Sequence, residues 1–165
     1  MKRFIAIVMV GFVLVVFGGA SMQAIRLKQE CTGFLKRAAD ANTVETAKVE
    51  LRRALSYLEM NDMTKGYTSV LWKTADEDVG FWYENLKASE LELMKVREDS
   101  PSMEKTNLLM KLRETLLDSG EKGDELTVPK GLSRFPSNGL WCVLLWMAGL
   151  MLVGLLIWGA AEAEG

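Results

Sequence analysis

Residues 139–160 read GLWCVLLWMAGLMLVGLLIWGA, a run of 22 residues without a charged side chain. At 1.5 Å per residue, a helix of this length is about 33 Å long, which is enough to cross the hydrocarbon layer of a bilayer. Trp141 lies near its start and Trp158 near its end, where indole rings anchor a span at the two membrane interfaces. The run therefore predicts a C-terminal transmembrane helix, with Trp141 and Trp158 as interface anchors.

A second uncharged run, at residues 4–20, reads FIAIVMVGFVLVVFGGA and follows Met1-Lys2-Arg3. A short basic segment before an apolar run is typical of a signal sequence. This run of 17 residues is longer than the apolar core of most cleaved signals, about 7–15 residues, and reaches the lower limit for a span. The sequence predicts an uncleaved signal anchor that forms an N-terminal transmembrane helix. Cleavage after Ala20 is the alternative.

Nearly all the charge lies between these two runs. The chain has 20 Lys and Arg, 22 Asp and Glu and no His, and residues 21–138 carry 18 of the basic and 20 of the acidic side chains. This distribution excludes an ordinary soluble globular domain. Because the charges of the middle segment nearly cancel, they create no net field for nucleic acid, and we expect no such partner. The absence of His excludes His-based metal sites and catalytic triads.

Helical periodicity predicts four helices between residues 21 and 120. The first continues the N-terminal span to about residue 40, with a face that comprises Ala24, Cys31, Leu35 and Ala38. The second begins at the capping sequence of residues 42–45 and carries a regular apolar stripe formed by Val44, Ala47, Leu51, Leu55 and Leu58. We expect both helices to bury these faces in a shared core.

The third predicted helix begins at the capping box of residues 74–77 and extends to about residue 98. Its apolar stripe is Trp82, Leu86, Leu93 and Val96. The fourth begins at Ser100-Pro101, and Gly120 ends it; its core face is Leu109, Leu112 and Leu116. The carboxylates of residues 76–78 are predicted to cap the third helix rather than to bind a cation, because consecutive helical residues point in different directions.

Two of the links between these helices are only two or three residues long, which favours antiparallel neighbours. An even number of helices also returns the chain to the side on which it began, as two flanking spans require. The sequence thus predicts an all-α protein in which two transmembrane helices flank an antiparallel four-helix bundle. The bundle would occupy residues 21–120, and residues 121–138 would form a membrane-proximal linker.

The basic residues give conflicting indications of topology. Lys2 and Arg3 favour a cytoplasmic N-terminus, whereas further basic residues lie beside both spans in the middle segment. The positive-inside rule applies to connections of up to about 60 residues, so the long middle segment carries less weight than the signal-like N-terminus. We expect a bacterial-type inner (plasma) membrane protein with both termini cytoplasmic and the middle domain extracytoplasmic. The inverse orientation is the alternative.

Aromatic residues concentrate near the membrane side of the predicted bundle. The candidates for contact with a partner or with the membrane are Tyr67, Trp72, Phe81, Tyr83 and Phe135. Phe81, Trp82 and Tyr83 are consecutive, so at least one of them must point away from the core. An exposed aromatic side chain would suit a protein partner. Lipid contact, or closure of the open end of the core, would use the same residues.

Catalytic chemistry has little support. Glu84, Glu90 and Glu114 are isolated helical carboxylates that we expect to be solvated, and neither Cys31 nor Cys142 has a His partner. We therefore expect no enzyme activity, no metal site and no cofactor.

The predicted function is that of a non-catalytic small integral membrane protein that contacts the lipid bilayer. Its bundle would bind another membrane or extracytoplasmic protein, or a second copy of itself. An extracytoplasmic small-molecule sensing or binding module is the alternative. In architecture only, and without a shared motif, an outward four-helix bundle between two spans resembles the ligand-sensing part of bacterial chemoreceptors.

Overall fold

The computed structural model describes residues 2–97, 99–120 and 123–163, and this part of the chain is mostly helical. The helices are α1 (Lys2–Leu27), α2 (Gly33–Ala39), α3 (Val44–Met60), α4 (Val79–Lys95), α5 (Ser102–Leu116) and α6 (Asn138–Ala163). Two short strands, β1 (Leu117–Gly120) and β2 (Gly123–Leu126), pair in antiparallel register. The expectation of an all-α chain is therefore wrong at this hairpin.

The helices at the two ends of the chain, α1 and α6, are long and apolar enough to cross a membrane by length and composition. They pack side by side, and Gly19 lies against the ring of Trp141. Because α1 ends at the buried Leu27 and α6 begins beside Gly131, both join the remainder of the protein at the same end. The two helices are therefore antiparallel neighbours, and most of their apolar surface is exposed.

A π-helical turn at Lys28–Thr32 separates α1 from α2. The Gly33 amide donates to the Lys28 carbonyl, and a Cβ atom at residue 33 would come within 2.6 Å of that oxygen. Only Gly fits this close approach, so its position explains where the wide turn is placed. The turn contains the buried Cys31, while Ala24 of the predicted face is exposed.

The core lies among α2, α3, α4 and α5. The predicted stripe of α3 is fully confirmed, and on α4 the side chains of Trp82, Leu86 and Leu93 are buried. Val96 and Leu109 are partly buried, whereas Leu112 and Leu116 are buried. Burial of these apolar faces supplies the main driving force for folding this part of the chain.

Helix α4 begins later than the sequence predicts. Thr74 caps only a short 3-10 turn, Ala75–Glu77, where its hydroxyl donates to a Glu77 carboxylate oxygen over 2.7 Å. The N-cap of α4 is Asp78, whose Oδ1 accepts from the Phe81 amide at 3.0 Å. Trp82 therefore lies one helical turn from the start of its helix. A helix that began at the predicted capping box would place it two turns from the start.

The chain returns toward α1 and α6 by a different route from the one that the sequence predicts. Helix α5 ends at Leu116, and the Lys111–Glu92 ion pair places its second half against the second half of α4. The hairpin and the residues that follow it complete the return, so Gly120 lies in β1 rather than at a helix end, and residues 123–126 form β2. Gly123 has a φ of +111°, a conformation that Gly adopts readily, which favours the hairpin over a longer helix.

Candidate functional site: an acidic cleft beside Trp82

A cleft of about 760 Å³ opens between the start of α4 and the return segment, which we define as residues 123–131. Trp82 and Leu86 line it from α4, and Leu126 and Val128 line it from the return segment. The Trp82 side chain is only 8% exposed, and its indole N–H donates to the Thr127 carbonyl at 2.7 Å. This bond joins the wall formed by α4 to the return segment.

The rim of the cleft carries an apolar side chain in water. Phe81, the neighbour of Trp82, lines the cleft while remaining 67% exposed. The two aromatic residues are consecutive on α4, so they point in different directions from the helix axis. An exposed ring beside a largely apolar recess is the kind of anchor point that protein interfaces use.

Carboxylates dominate the charge of the cleft. Four acidic residues line it, against one cation, Lys130; the acids are Asp76, Asp78, Asp118 and Glu125. Charge from Asp78 and a hydrogen bond to it raise the pKa of Tyr67, which lies just outside. A recess lined by one sign of charge concentrates the opposite sign, so the cleft is suited to cationic groups.

The five aromatic residues predicted for contact do not form one site. Phe81 lines the cleft, and Tyr67 borders it through Asp78. Tyr83 lies on a different face of α4, where its hydroxyl donates to Glu59 Oε1 at 2.8 Å. Phe135 packs against the core and Gly66, and thus closes the end of the core nearest α1 and α6.

Trp72 belongs to an exposed apolar loop away from the cleft. Val70, Leu71 and Trp72 are 51%, 76% and 77% exposed, respectively. The carbonyl of the nearby Thr68 accepts a hydrogen bond from Asn138, the first residue of α6. The loop is therefore held beside the start of the second apolar helix.

Sequence reasoning missed a buried carboxylate. Glu90 is 1% exposed and accepts from Arg52 of α3, and Lys87 lies 3.0 Å from its other oxygen. Burial alone would raise the pKa of Glu90, but the hydrogen bonds from Arg52 and Lys87 outweigh it and lower the pKa. The expectation that Glu90 is solvated is wrong. A signal was present, because Glu90 falls in the gap between Leu86 and Leu93 on the apolar stripe.

A second buried carboxylate lies on α3. Glu50 is 4% exposed, and its Oε1 lies 2.7 Å from the Arg37 guanidinium of α2. Arg53 lies 5.5 Å from the ring centroid of Phe34, so cation and ring pack together beside this pair. These charges join α2 to α3 and lie outside the cleft.

The described residues contain no group of three or more His, Cys, Asp or Glu side chains arranged to hold a metal ion. Cys31 and Cys142 are both free thiols, one in the core and one in α6. What the cleft combines is an aromatic wall, an exposed ring and negative charge, a set suited to binding. Comparisons with protein-family models, with curated proteins and with solved structures found no match for the chain.

Proposed function

We propose that the chain is a non-catalytic small integral membrane protein whose helical domain binds a partner protein through the acidic cleft. Two antiparallel apolar helices support the membrane assignment. The inner membrane, with both termini cytoplasmic and the helical domain extracytoplasmic, is the location and orientation that the signal-like N-terminus supports. The observation that carries the binding role is the cleft itself, with Phe81 exposed at its rim.

The cleft favours a basic, extended segment of the partner. Its acidic lining would attract Lys or Arg side chains, and its apolar wall would hold one aliphatic or aromatic anchor between them. The positive charge of such a segment would also raise the rate of encounter at low salt. A second copy of the chain with one of its own basic segments in the cleft is a partner of the same kind.

Site-specific photo-crosslinking tests this proposal. With benzoylphenylalanine at residue 81, we expect adducts in native membranes that map to a basic segment of one protein. Met103, 75% exposed on α5, is the matched control position and should give no such adduct. Glu125→Lys should reduce the yield at residue 81 about tenfold, and added salt should reduce it as well, because the attraction is electrostatic.

Two results would contradict the docking role. One is an equal set of adducts at residues 81 and 103, which would indicate random collision. The other is a yield that neither Glu125→Lys nor salt changes, which would leave the acidic lining without a part in binding.

A small-molecule binding module is the second candidate, because about 760 Å³ lies within the range of ligand pockets, roughly 300–1,000 Å³. Under this alternative, the purified protein gains thermal stability from a cationic metabolite, and Glu125→Lys removes the gain. Stabilisation of this kind without any protein adduct at residue 81 would favour the alternative over protein docking.

A further inference from the structure

A second recess, of about 390 Å³, lies where the helical domain meets α6. Thr68 and Val70 line it on one side, and Asn138, Leu145 and Trp146 line it on the other. Residues 138 and 146 are eight apart, which is about 12 Å along a helix. The recess thus extends along the first two turns of α6, the part of a span that lies at the headgroup boundary of a bilayer.

Buried polar atoms around this recess have no protein partner. The Thr68 side chain is 3% exposed, and its Oγ1 accepts or donates no hydrogen bond within the described chain. Asn138 Nδ2 donates to the Gly131 carbonyl at 3.2 Å, yet Asn138 Oδ1 is buried without a partner in the same described region. Such groups are rare in folded proteins, because each loses its hydrogen bonds to water on burial and gains none in return. They leave unmet hydrogen-bonding capacity at the polar end of the recess.

The charge of this recess is opposite to that of the acidic cleft. Lys130, which also borders the acidic cleft, and Arg134 line it, and neither makes an ion pair with another residue in the described part of the chain. The one carboxylate present, Glu77, already accepts a hydrogen bond from Thr74. Two cations near buried hydroxyl and amide groups form a set that binds phosphate.

An apolar surface continues from the polar end of the recess. Val70 and Trp146 are exposed by 51% and 70%, and Leu145 lies between the polar end and Trp146 on α6. Leu71 and Trp72, which follow Val70 in the chain, add further exposed apolar surface. A free phosphate ion would leave all of it in water, whereas a lipid tail would cover it.

We propose that this recess binds one phospholipid molecule. Its phosphate lies between Lys130 and Arg134, the Thr68 hydroxyl donates to a headgroup oxygen, and an acyl chain follows Val70 and Trp146. The lipid fixes the helical domain against the bilayer surface at the start of α6. This inference rests on the membrane insertion in the proposed function, but it does not depend on what the acidic cleft binds.

Native mass spectrometry of the detergent-solubilised full chain with added phosphatidylglycerol tests the site. We expect the protein to retain one lipid, and Lys130→Gln with Arg134→Gln to weaken retention at least about tenfold, since each cation contributes to anionic lipid binding. Lys65→Gln with Lys73→Gln removes the same charge from exposed positions outside the recess and should leave retention unchanged. Equal retention by both double variants would overturn the proposal.

Competition and extraction separate the other outcomes. A short-chain phosphatidylglycerol should displace the retained lipid, while glycerol phosphate at the same concentration should not; equal displacement by both would overturn the lipid assignment. Thermal melting of the Lys130→Gln/Arg134→Gln protein checks that it is folded. If alkaline carbonate strips the wild-type chain from membranes, the proposed membrane function fails. If the chain stays in the membrane but the double variants bind equally, only the lipid site fails.

Discussion

Replacement of Trp82 by Ala should lower the free energy of unfolding by about 3–5 kcal/mol, the usual cost of truncating a large buried aromatic side chain. Two losses combine. The cavity left on α4 opens toward Leu86 and the core, and the indole hydrogen bond to the Thr127 carbonyl disappears. Denaturant unfolding of the detergent-solubilised protein, followed by circular dichroism, measures the change.

Phe81→Ala is the matched control for Trp82→Ala. Phe81 is the adjacent residue on the same helix, but it is 67% exposed, so its truncation should change the free energy of unfolding by less than about 0.5 kcal/mol. The same variant should weaken partner binding at the cleft. If Trp82→Ala leaves the unfolding midpoint unchanged and instead releases a bound partner, Trp82 is a contact residue and the assigned core face is wrong.

Replacement of Glu90 by Ala should cost about 1.5–3 kcal/mol, because it removes a buried acceptor of two charge-assisted hydrogen bonds. The cost stays below that of a fully buried ion pair, since Arg52 is 57% exposed at its side chain and water can solvate it after the change. Glu84→Ala, at an exposed position on the same helix, should be neutral within about 0.5 kcal/mol. Equal changes in unfolding free energy for the two variants would show that the ion pairs of Glu90 contribute nothing to stability.

The Glu90 contribution should also depend on pH, and its sign is fixed by the lowered pKa. A carboxyl group with a folded pKa below the unfolded value stabilises the fold above the unfolded pKa, about 4.3, and loses that contribution as the pH falls through the folded pKa. The hydrogen bonds of Lys87 and Tyr83 lower the pKa of Glu59 too, so it acts in the same direction. The stability difference between the wild type and Glu90→Ala should therefore disappear in acid. If the difference in unfolding free energy between the wild type and Glu90→Ala does not change with pH, the ionised pairing of Glu90 with Arg52 and Lys87 is contradicted.

The helical elements were predictable because their apolar residues repeat at helical spacing. The stripe of α3 is continuous, and Trp82, Leu86 and Leu93 are separated by intervals that keep them on one face. Glu90 occupies the gap in that stripe, but its burial is not predicted, because an isolated carboxylate on a helix is expected to be solvated. Its partner Arg52 is 38 residues away, a pairing that no local pattern contains.

For a related reason, the sequence alone does not predict the hairpin, the acidic cleft or the recess beside α6. Strands 117–120 and 123–126 are largely polar and have no alternating pattern; only Leu117 and Leu126, paired across the ladder, are apolar. Without the hairpin, the opposing wall of the acidic cleft is absent from any sequence-based prediction. The position of the aromatic residues in the sequence identifies Phe81 as a candidate for contact, but it cannot separate the surroundings of Phe81 from those of Tyr83 or Phe135.

Thiol labelling in intact spheroplasts tests most directly whether the helical domain stands outside the membrane on two antiparallel spans. Ser100→Cys, at the far end of the domain, and Ser137→Cys, beside the start of α6, are introduced after Cys31 and Cys142 are replaced. We predict that a membrane-impermeant reagent labels both positions before lysis. Labelling of both only after lysis would place the domain in the cytoplasm, and labelling of one position without the other would contradict the two-span arrangement itself.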